Sequence, residues 1–169
     1  AFIEAAYSFK MAQESKDAGF WIDRFQKILL LIGRKNTKTE TCSALGLSEN
    51  IVGPEGADLV CASNDDKQSK LSYIAIDTMR KLIDPRDQDT RRTQTNLLYM
   101  PGNTKIFTLS VTSRNKEGFN IDWAILDEVH EMLTNALAKP IEQSQSTKDN
   151  PKVFEITTEG FVEDGYLDE

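Results

Sequence analysis

Only two of the 169 residues are cysteine, Cys42 and Cys61, too few for the disulfide framework on which small secreted domains rely. Long hydrophobic runs are missing as well. The longest, Ile28-Leu29-Leu30-Leu31-Ile32, has five residues, far short of the roughly 20 that cross a bilayer as a helix. No early stretch joins a basic start to an apolar run in the manner of a signal peptide, so a reducing cytoplasm is the expected compartment. Positive charge is also scarce: the net charge of −7 argues against a protein that wraps DNA over its whole surface, while leaving room for a local basic patch. A single histidine, His130, offers no second imidazole for a zinc site.

What remains is an ordinary globular composition, 39% hydrophobic and 28% charged with 5 Pro, away from the disordered class. A chain of this length hides roughly two-thirds of its unfolded surface on folding, and residues 1–169 are expected to form one domain.

Hydrophobic spacing predicts a helix over residues 2–13 and a short strand over 26–32 that ends in a polar loop. A helix over 39–50 follows, carrying Ala44, Leu45 and Leu47. The order then repeats, with a strand over 57–63 and a helix over 65–82 capped by Asn64 or Asp65. Residues 95–100 and 105–111 read as two β runs joined by Pro101-Gly102-Asn103, a small inserted antiparallel hairpin. Alternation resumes with a strand over 123–126, a helix from 129 towards 145 and a strand over 153–157. Four strands separated by helices imply an α/β fold of three layers around a mostly parallel sheet.

Ligands of such sheets bind beyond the carboxyl ends of the strands. The first of those loops, Gly33-Arg34-Lys35-Asn36-Thr37-Lys38-Thr39, ends in the Lys-Thr pair of a phosphate-binding loop and stands between a strand and a helix. In that role Lys38 reaches the β- and γ-phosphates of ATP, Thr39 holds Mg²⁺, and the helix N-terminus adds N–H donors. The motif's glycines are replaced by Ile32 and Thr37. By itself the loop reads equally well as a basic surface turn before a helix.

About 90 residues later Ala124-Ile125-Leu126-Asp127-Glu128 delivers two adjacent carboxylates from an apolar strand. Asp127 suits the metal, and Glu128 suits orienting and deprotonating a water. A strand running into acidic helix-start residues is the structural alternative.

Four segments in order resemble the large subunit of phage terminases. Residues 33–47 resemble that family's Arg-Lys-Asn-Gly-Lys-Ser/Thr loop and its helix, and 118–131 its Leu-Asp-Glu-x-His-Glu segment. Ser63-Asn64-Asp65-Asp66-Lys67-Gln68 is similar to its Ala-Asn-Asp-x-x-Gln stretch, and Ile156-Thr157-Thr158-Glu159-Gly160 to its coupling motif. The resemblance runs over about residues 20–164. It implies a P-loop NTPase fold of the RecA-like, additional-strand type, and an Mg²⁺-dependent ATPase that drives double-stranded DNA into a procapsid in the cytoplasm of an infected bacterium. It further implies a ring of subunits working with a portal protein and a small terminase subunit. In that family a nuclease domain follows and a glutamine-bearing adenine-binding segment precedes; neither is expected within these residues, and Gln13 and Gln26 form no clear adenine pattern.

The candidate site is therefore Glu128 and Arg34 for catalysis, with Arg34, Lys35, Asn36, Thr37, Lys38, Thr39, Asn64, Thr157 and Thr158 around the nucleotide, and Thr39 and Asp127 at the metal. Thr157 and Thr158 would sense the γ-phosphate, though β-branched residues also suit a strand end. His130 and Glu131 would support the Asp127-Glu128 loop. Asp65 and Gln68 serve capping as readily as nucleotide contact. Arg91, Arg92 and Arg114 are further candidates for an arginine finger. Thr37, where the family has glycine, points to weak nucleotide binding. It also keeps a second reading open, a weakly active or inactive assembly module of a prophage remnant. A helicase-type ATPase ranks third, since the basic and aromatic strand-binding segments it needs are not found.

Overall fold

The computed structural model describes residues 2–12, 21–111, 118–158 and 165–166. The sequence readings on Gln13, Arg114, Glu159 and Gly160 lie outside the described residues. In chain order the elements are α1 (Phe2–Ser8), β1 (Lys10–Ala12), β2 (Trp21–Asp23), β3 (Lys27–Leu31), α2 (Lys38–Val52), β4 (Asp58–Ser63) and α3 (Asp66–Ile83). They continue with β5 (Thr90–Arg92), β6 (Asn96–Tyr99), β7 (Thr104–Ser110), β8 (Ile121–Asp127), a 3-10 turn (Val129–Glu131), α4 (Ala138–Ser144) and β9 (Lys152–Thr157).

Seven strands form one sheet in the order β3-β9-β8-β4-β7-β6-β5. The five from β3 to β7 run parallel, and β6 and β5 add an antiparallel edge. Side chains alternate across the strands, which divides the core in two. Leu59, Cys61, Trp123, Ile125, Phe154 and Ile156 meet α1, α2 and α3 on one face. On the other, Val60, Ala62, Ala124, Leu126 and Val153 meet Val129, Met132, Leu137, Ala138 and Ile141. This is the expected three-layered α/β arrangement. A Cβ on Gly46 would stand 2.8 Å from the Trp123 ring, so glycine lets α2 lie directly on β8.

Three expectations change. The first helix ends at Ser8, and the residues after it form a small antiparallel pair, Lys10–Ala12 with Trp21–Asp23. The run over 105–111 is not merely one arm of an inserted hairpin: β7 turns back from β6 as expected, yet its other edge pairs in parallel with β4, Asp58 to Lys105 through Ser63 to Ser110. It is a fifth parallel strand. The helix expected from 129 towards 145 is a single 3-10 turn, a loop, and a seven-residue helix. Glu128 in the left-handed region, φ 53°, and Met132 in extended backbone break the helical path, although the apolar spacing of Val129, Met132, Leu137 and Ile141 is kept by burial.

Candidate functional site

Beyond the carboxyl ends of β3, β8, β4 and β9, four segments converge. Residues 33–37 turn sharply between β3 and α2, and two of them take left-handed backbone without being glycine: Lys35 at φ 64° and Thr37 at φ 52°. Thr37 is the N-cap of α2, yet its hydroxyl bonds the Asn36 carbonyl at 2.8 Å and leaves the helix N–H groups uncapped. Those donors face the loop. The Asn36 amide folds back onto Gly33 O at 3.1 Å. Arg34 and Lys35 are exposed on the outside of the turn.

Lys38 and Thr39, the first two residues of α2, point the other way, towards β8. Lys38 is only 9% exposed, and its Nζ pairs with Glu128 Oε1 at 2.8 Å. The Thr39 hydroxyl is 3.5 Å from Asp127 Oδ2. The two sequence-predicted segments are thus in contact across 90 residues of chain.

Asp127 closes β8 on the same sheet face as Trp123 and Ile125, and so looks towards α2 and α3. Its main-chain carbonyl accepts from Ser63 Oγ at 3.1 Å and its Oδ2 from Ser72 Oγ at 3.2 Å, while its Oδ1 is buried without a partner. Burial, and then the neighbouring Glu128 charge, push the Asp127 carboxyl up to about 6. A buried carboxylate held so far above its ordinary range is a group short of positive charge.

Glu128 turns out of the strand through its left-handed backbone. Its Oε2 lies 3.2 Å from His130 Nδ1, but that nitrogen is aimed at Thr157 Oγ1, 2.8 Å away, and Glu128 Oε2 is left buried without a hydrogen bond. Thr157 also accepts from the His130 backbone N–H at 3.2 Å and donates to Thr158 O at 2.9 Å. The end of β9 is therefore tied through His130 to the Glu128 loop. The Thr158 hydroxyl is buried without a partner.

The remaining predicted residues divide. Asn64 follows Ser63, which stands beside Asp127 in the sheet, and is half-buried there. Asp65 caps α3, accepting from the N–H groups of Lys67 and Gln68, and the Gln68 amide reaches Glu131 Oε2 at 3.2 Å. Arg92 is occupied far from the loop, 2.8 Å from Asp77 Oδ2 and over the Tyr73 ring; Arg91 is exposed. Both cysteines are buried and their thiols shifted upward by burial, Cys42 to about 12, so neither is a nucleophile at neutral pH. Ser63 entered the sequence reading only as the end of a strand and the start of the stretch resembling Ala-Asn-Asp-x-x-Gln, with no role of its own, and Ser72 was not foreseen. Nothing in spacing singles out a serine inside a helix; the only available sign was a polar residue on a face that must be buried.

Among the described residues no three His, Cys, Asp or Glu side chains are grouped to hold a metal ion. The oxygen set that is present, the Thr39 hydroxyl and the unpartnered Oδ1 of Asp127, suits a hard cation shared with phosphate and water. Opposite it stand a lysine and uncapped N–H groups, which suit phosphate.

A family model described as the ATPase domain of the terminase large subunit matches residues 19–169. No curated protein matches the sequence. Among solved structures, the large terminase of bacteriophage HK97 superposes with a TM-score of 0.78 at 24% identity, covering 99% of this chain and 34% of that one. The ATPase domain of the Thermus phage P74-26 large terminase gives 0.65 at 19% identity, covering 80% of this chain and 61% of that one. The large terminase of a thermophilic bacteriophage, solved in complex with ADP, gives 0.60 at 11% identity, with 86% and 42% covered. The chain spans about a third of the length of the HK97 protein. At these identities the superpositions establish the fold alone, a three-layered α/β arrangement around a mostly parallel sheet.

Proposed function

The chain belongs to the family of terminase large-subunit ATPase domains, and from that premise we propose that it hydrolyses ATP with Mg²⁺ to drive double-stranded DNA into a viral procapsid. The observation that carries the reading is the meeting of the loop with β8: Lys38 Nζ 2.8 Å from Glu128 Oε1, and Thr39 Oγ1 3.5 Å from Asp127 Oδ2.

In this reading the first-turn N–H groups of α2 and the Lys38 ammonium bind the phosphates. Arg34, Lys35, Asn36 and Thr37 form the outer wall of the loop, and Asn64 borders it from the end of β4. Thr39 and Asp127 would hold the metal ion, which would supply positive charge against the phosphate groups. Arrival of phosphate draws Lys38 away from Glu128. Glu128 then takes the proton of the attacking water, while Arg34 meets charge developing on the γ-phosphoryl group. Thr157 and Thr158 register the loss of that group and pass it along β9.

The working assembly is a ring of subunits on a portal protein, supplied with DNA by a small terminase subunit, in the cytoplasm of the infected bacterium. A P-loop that completes its site between subunits turns over slowly when isolated, so binding is the first quantity to measure. Equilibrium binding of a fluorescent ATP analogue with and without Mg²⁺, for this chain and for Lys38→Ala, tests the proposal. Micromolar, Mg²⁺-enhanced binding that disappears in the variant supports it. Binding by neither protein would overturn it in favour of a non-catalytic assembly module.

A further inference from the structure

Helix α3 buries polar side chains beside apolar ones: Ser69, Ser72, Asp77 and Arg80 are buried along with Tyr73 and Ile76, while Leu71, Ile74 and Leu82 are exposed. Most of its buried polar groups are answered locally. Arg80 and Asp77 pair with each other at 3.0 Å, and the Ser69 hydroxyl returns to Asp66 O at 3.2 Å. Ser72 is different. A serine inside a helix commonly bonds back to a carbonyl one turn earlier, and alanine would favour the helix more. Its hydroxyl instead leaves α3 and donates to Asp127 Oδ2 at 3.2 Å, while its own carbonyl accepts from Ser43 Oγ on α2 at 3.2 Å. One residue thereby joins the helix that carries Lys38 and Thr39 to the carboxylate at the end of β8.

We propose that Ser72 is a positioning residue for the metal-binding carboxylate: by anchoring Asp127 Oδ2 it leaves Oδ1 as the oxygen offered to the cation. This rests on the assignment of Asp127 to Mg²⁺ above and adds a group that acts through it. Three constraints meet on Asp127. Ser63 fixes its carbonyl at 3.1 Å, Ser72 its Oδ2, and the Thr39 hydroxyl stands 3.5 Å from that same Oδ2. Oδ1 alone is buried and unanswered, and a buried acceptor without a donor is costly unless a ligand completes it. Without the Ser72 hydroxyl, Asp127 Oδ2 loses its buried donor and the carboxylate is free to rotate and close the 3.5 Å gap to the Thr39 hydroxyl, and the cation must compete with that rotation.

The test is a Mg²⁺ titration of fluorescent ATP-analogue binding for the unaltered chain, Ser72→Ala and Ser72→Thr, beside thermal melting and binding in EDTA. Expected are a three- to tenfold rise in the Mg²⁺ concentration for half-maximal binding in Ser72→Ala, unchanged binding in EDTA, and recovery in Ser72→Thr, which keeps the hydroxyl. If Ser72→Ala fails to fold, Ser72→Cys, similar in volume and a weak donor, carries the same expectation. An unchanged Mg²⁺ requirement in a folded variant overturns the proposal alone, as does equal weakening with and without Mg²⁺, the sign of general loosening. Absence of any Mg²⁺ effect in the unaltered chain overturns the assignment of Asp127 as well.

Discussion

Lys38 Nζ lies 2.8 Å from Glu128 Oε1, so the cation proposed to bind phosphate and the proposed base neutralise each other. The pair is mostly buried, with side chains 10% and 22% exposed, and each partner is costly to leave alone. In the proposed reaction phosphate would compete with Glu128 for Lys38, and Glu128 would be released when substrate arrives.

Glu128→Gln separates the two roles. It removes the competitor for Lys38, so nucleotide should bind at least as tightly as to the unaltered chain, while hydrolysis falls by a factor of about 10² to 10⁴. Binding and single-turnover hydrolysis measured on the same preparation check this. A loss of binding equal to the loss of hydrolysis would assign Glu128 to structure rather than to proton transfer.

Thr37→Gly relieves left-handed backbone at φ 52°, where a β-branched residue costs about 1–2 kcal/mol. The melting temperature should rise by about 2–8 °C. Nucleotide affinity should also tighten, because the side chain no longer crowds the first N–H groups of α2. Equal melting and equal affinity in the two proteins would show that the loop tolerates threonine without strain.

Asp127→Asn should stabilise the nucleotide-free chain while removing the Mg²⁺ effect on binding. The Asp127 carboxyl, raised to about 6 by burial and then by Glu128, lies above its unfolded value near 4. Its stabilising contribution is therefore complete below about pH 4 and lost as pH rises through about 6, leaving a penalty of up to about 3 kcal/mol at neutral pH. Melting curves at pH 7.5 should favour the variant, and the difference should vanish near pH 4. A variant less stable than the unaltered chain at both values contradicts the assignment of the shift to burial.

Lys152→Ala should be the most destabilising of these changes although it is remote from the nucleotide. Lys152 and Asp23 are each 3% exposed and paired at 2.8 Å, and Lys152 also donates to the carbonyls of Ala6 and Phe25 and stands over the Tyr7 ring. Removing the cation leaves a buried carboxylate, a loss of about 3–5 kcal/mol, measurable by urea unfolding. A change under about 1 kcal/mol would mean that water reaches Asp23.

Local sequence carried much of the fold. The parallel strands β3, β4, β8 and β9 were legible as short apolar runs; β4, β8 and β9 are covered on both faces and need no alternation, whereas β3 is apolar over 28–31 although it lies at the sheet edge with Leu29 and Leu31 exposed. The turn at Pro101-Gly102-Asn103 was legible too, with Asn103 in left-handed backbone at φ 50°. What β7 does with its second edge was not, because a strand's residues do not name the partner 40 or more positions away that its free N–H and C=O groups will find. The helix over 129–145 failed for a related reason. Its apolar spacing records which residues are buried, and a loop that packs Val129, Met132 and Leu137 into the core gives the same record as a helix.

The sequence by itself determined the chemistry on offer: a Lys-Thr pair before a helix, an Asp-Glu pair after an apolar strand, and a threonine where the turn needs left-handed backbone. Residue type and local order settle such matters, because motif, capping and turn signals act within a few positions. Only the tertiary structure decided that Lys38 closes on Glu128, that Thr157 reaches His130, and that Ser72 leaves its helix to hold Asp127. Those contacts join segments 27 to 90 residues apart, and their geometry comes from how α2 and α3 pack on one face of the sheet and from the pairing of β8 with β9, which no local pattern contains.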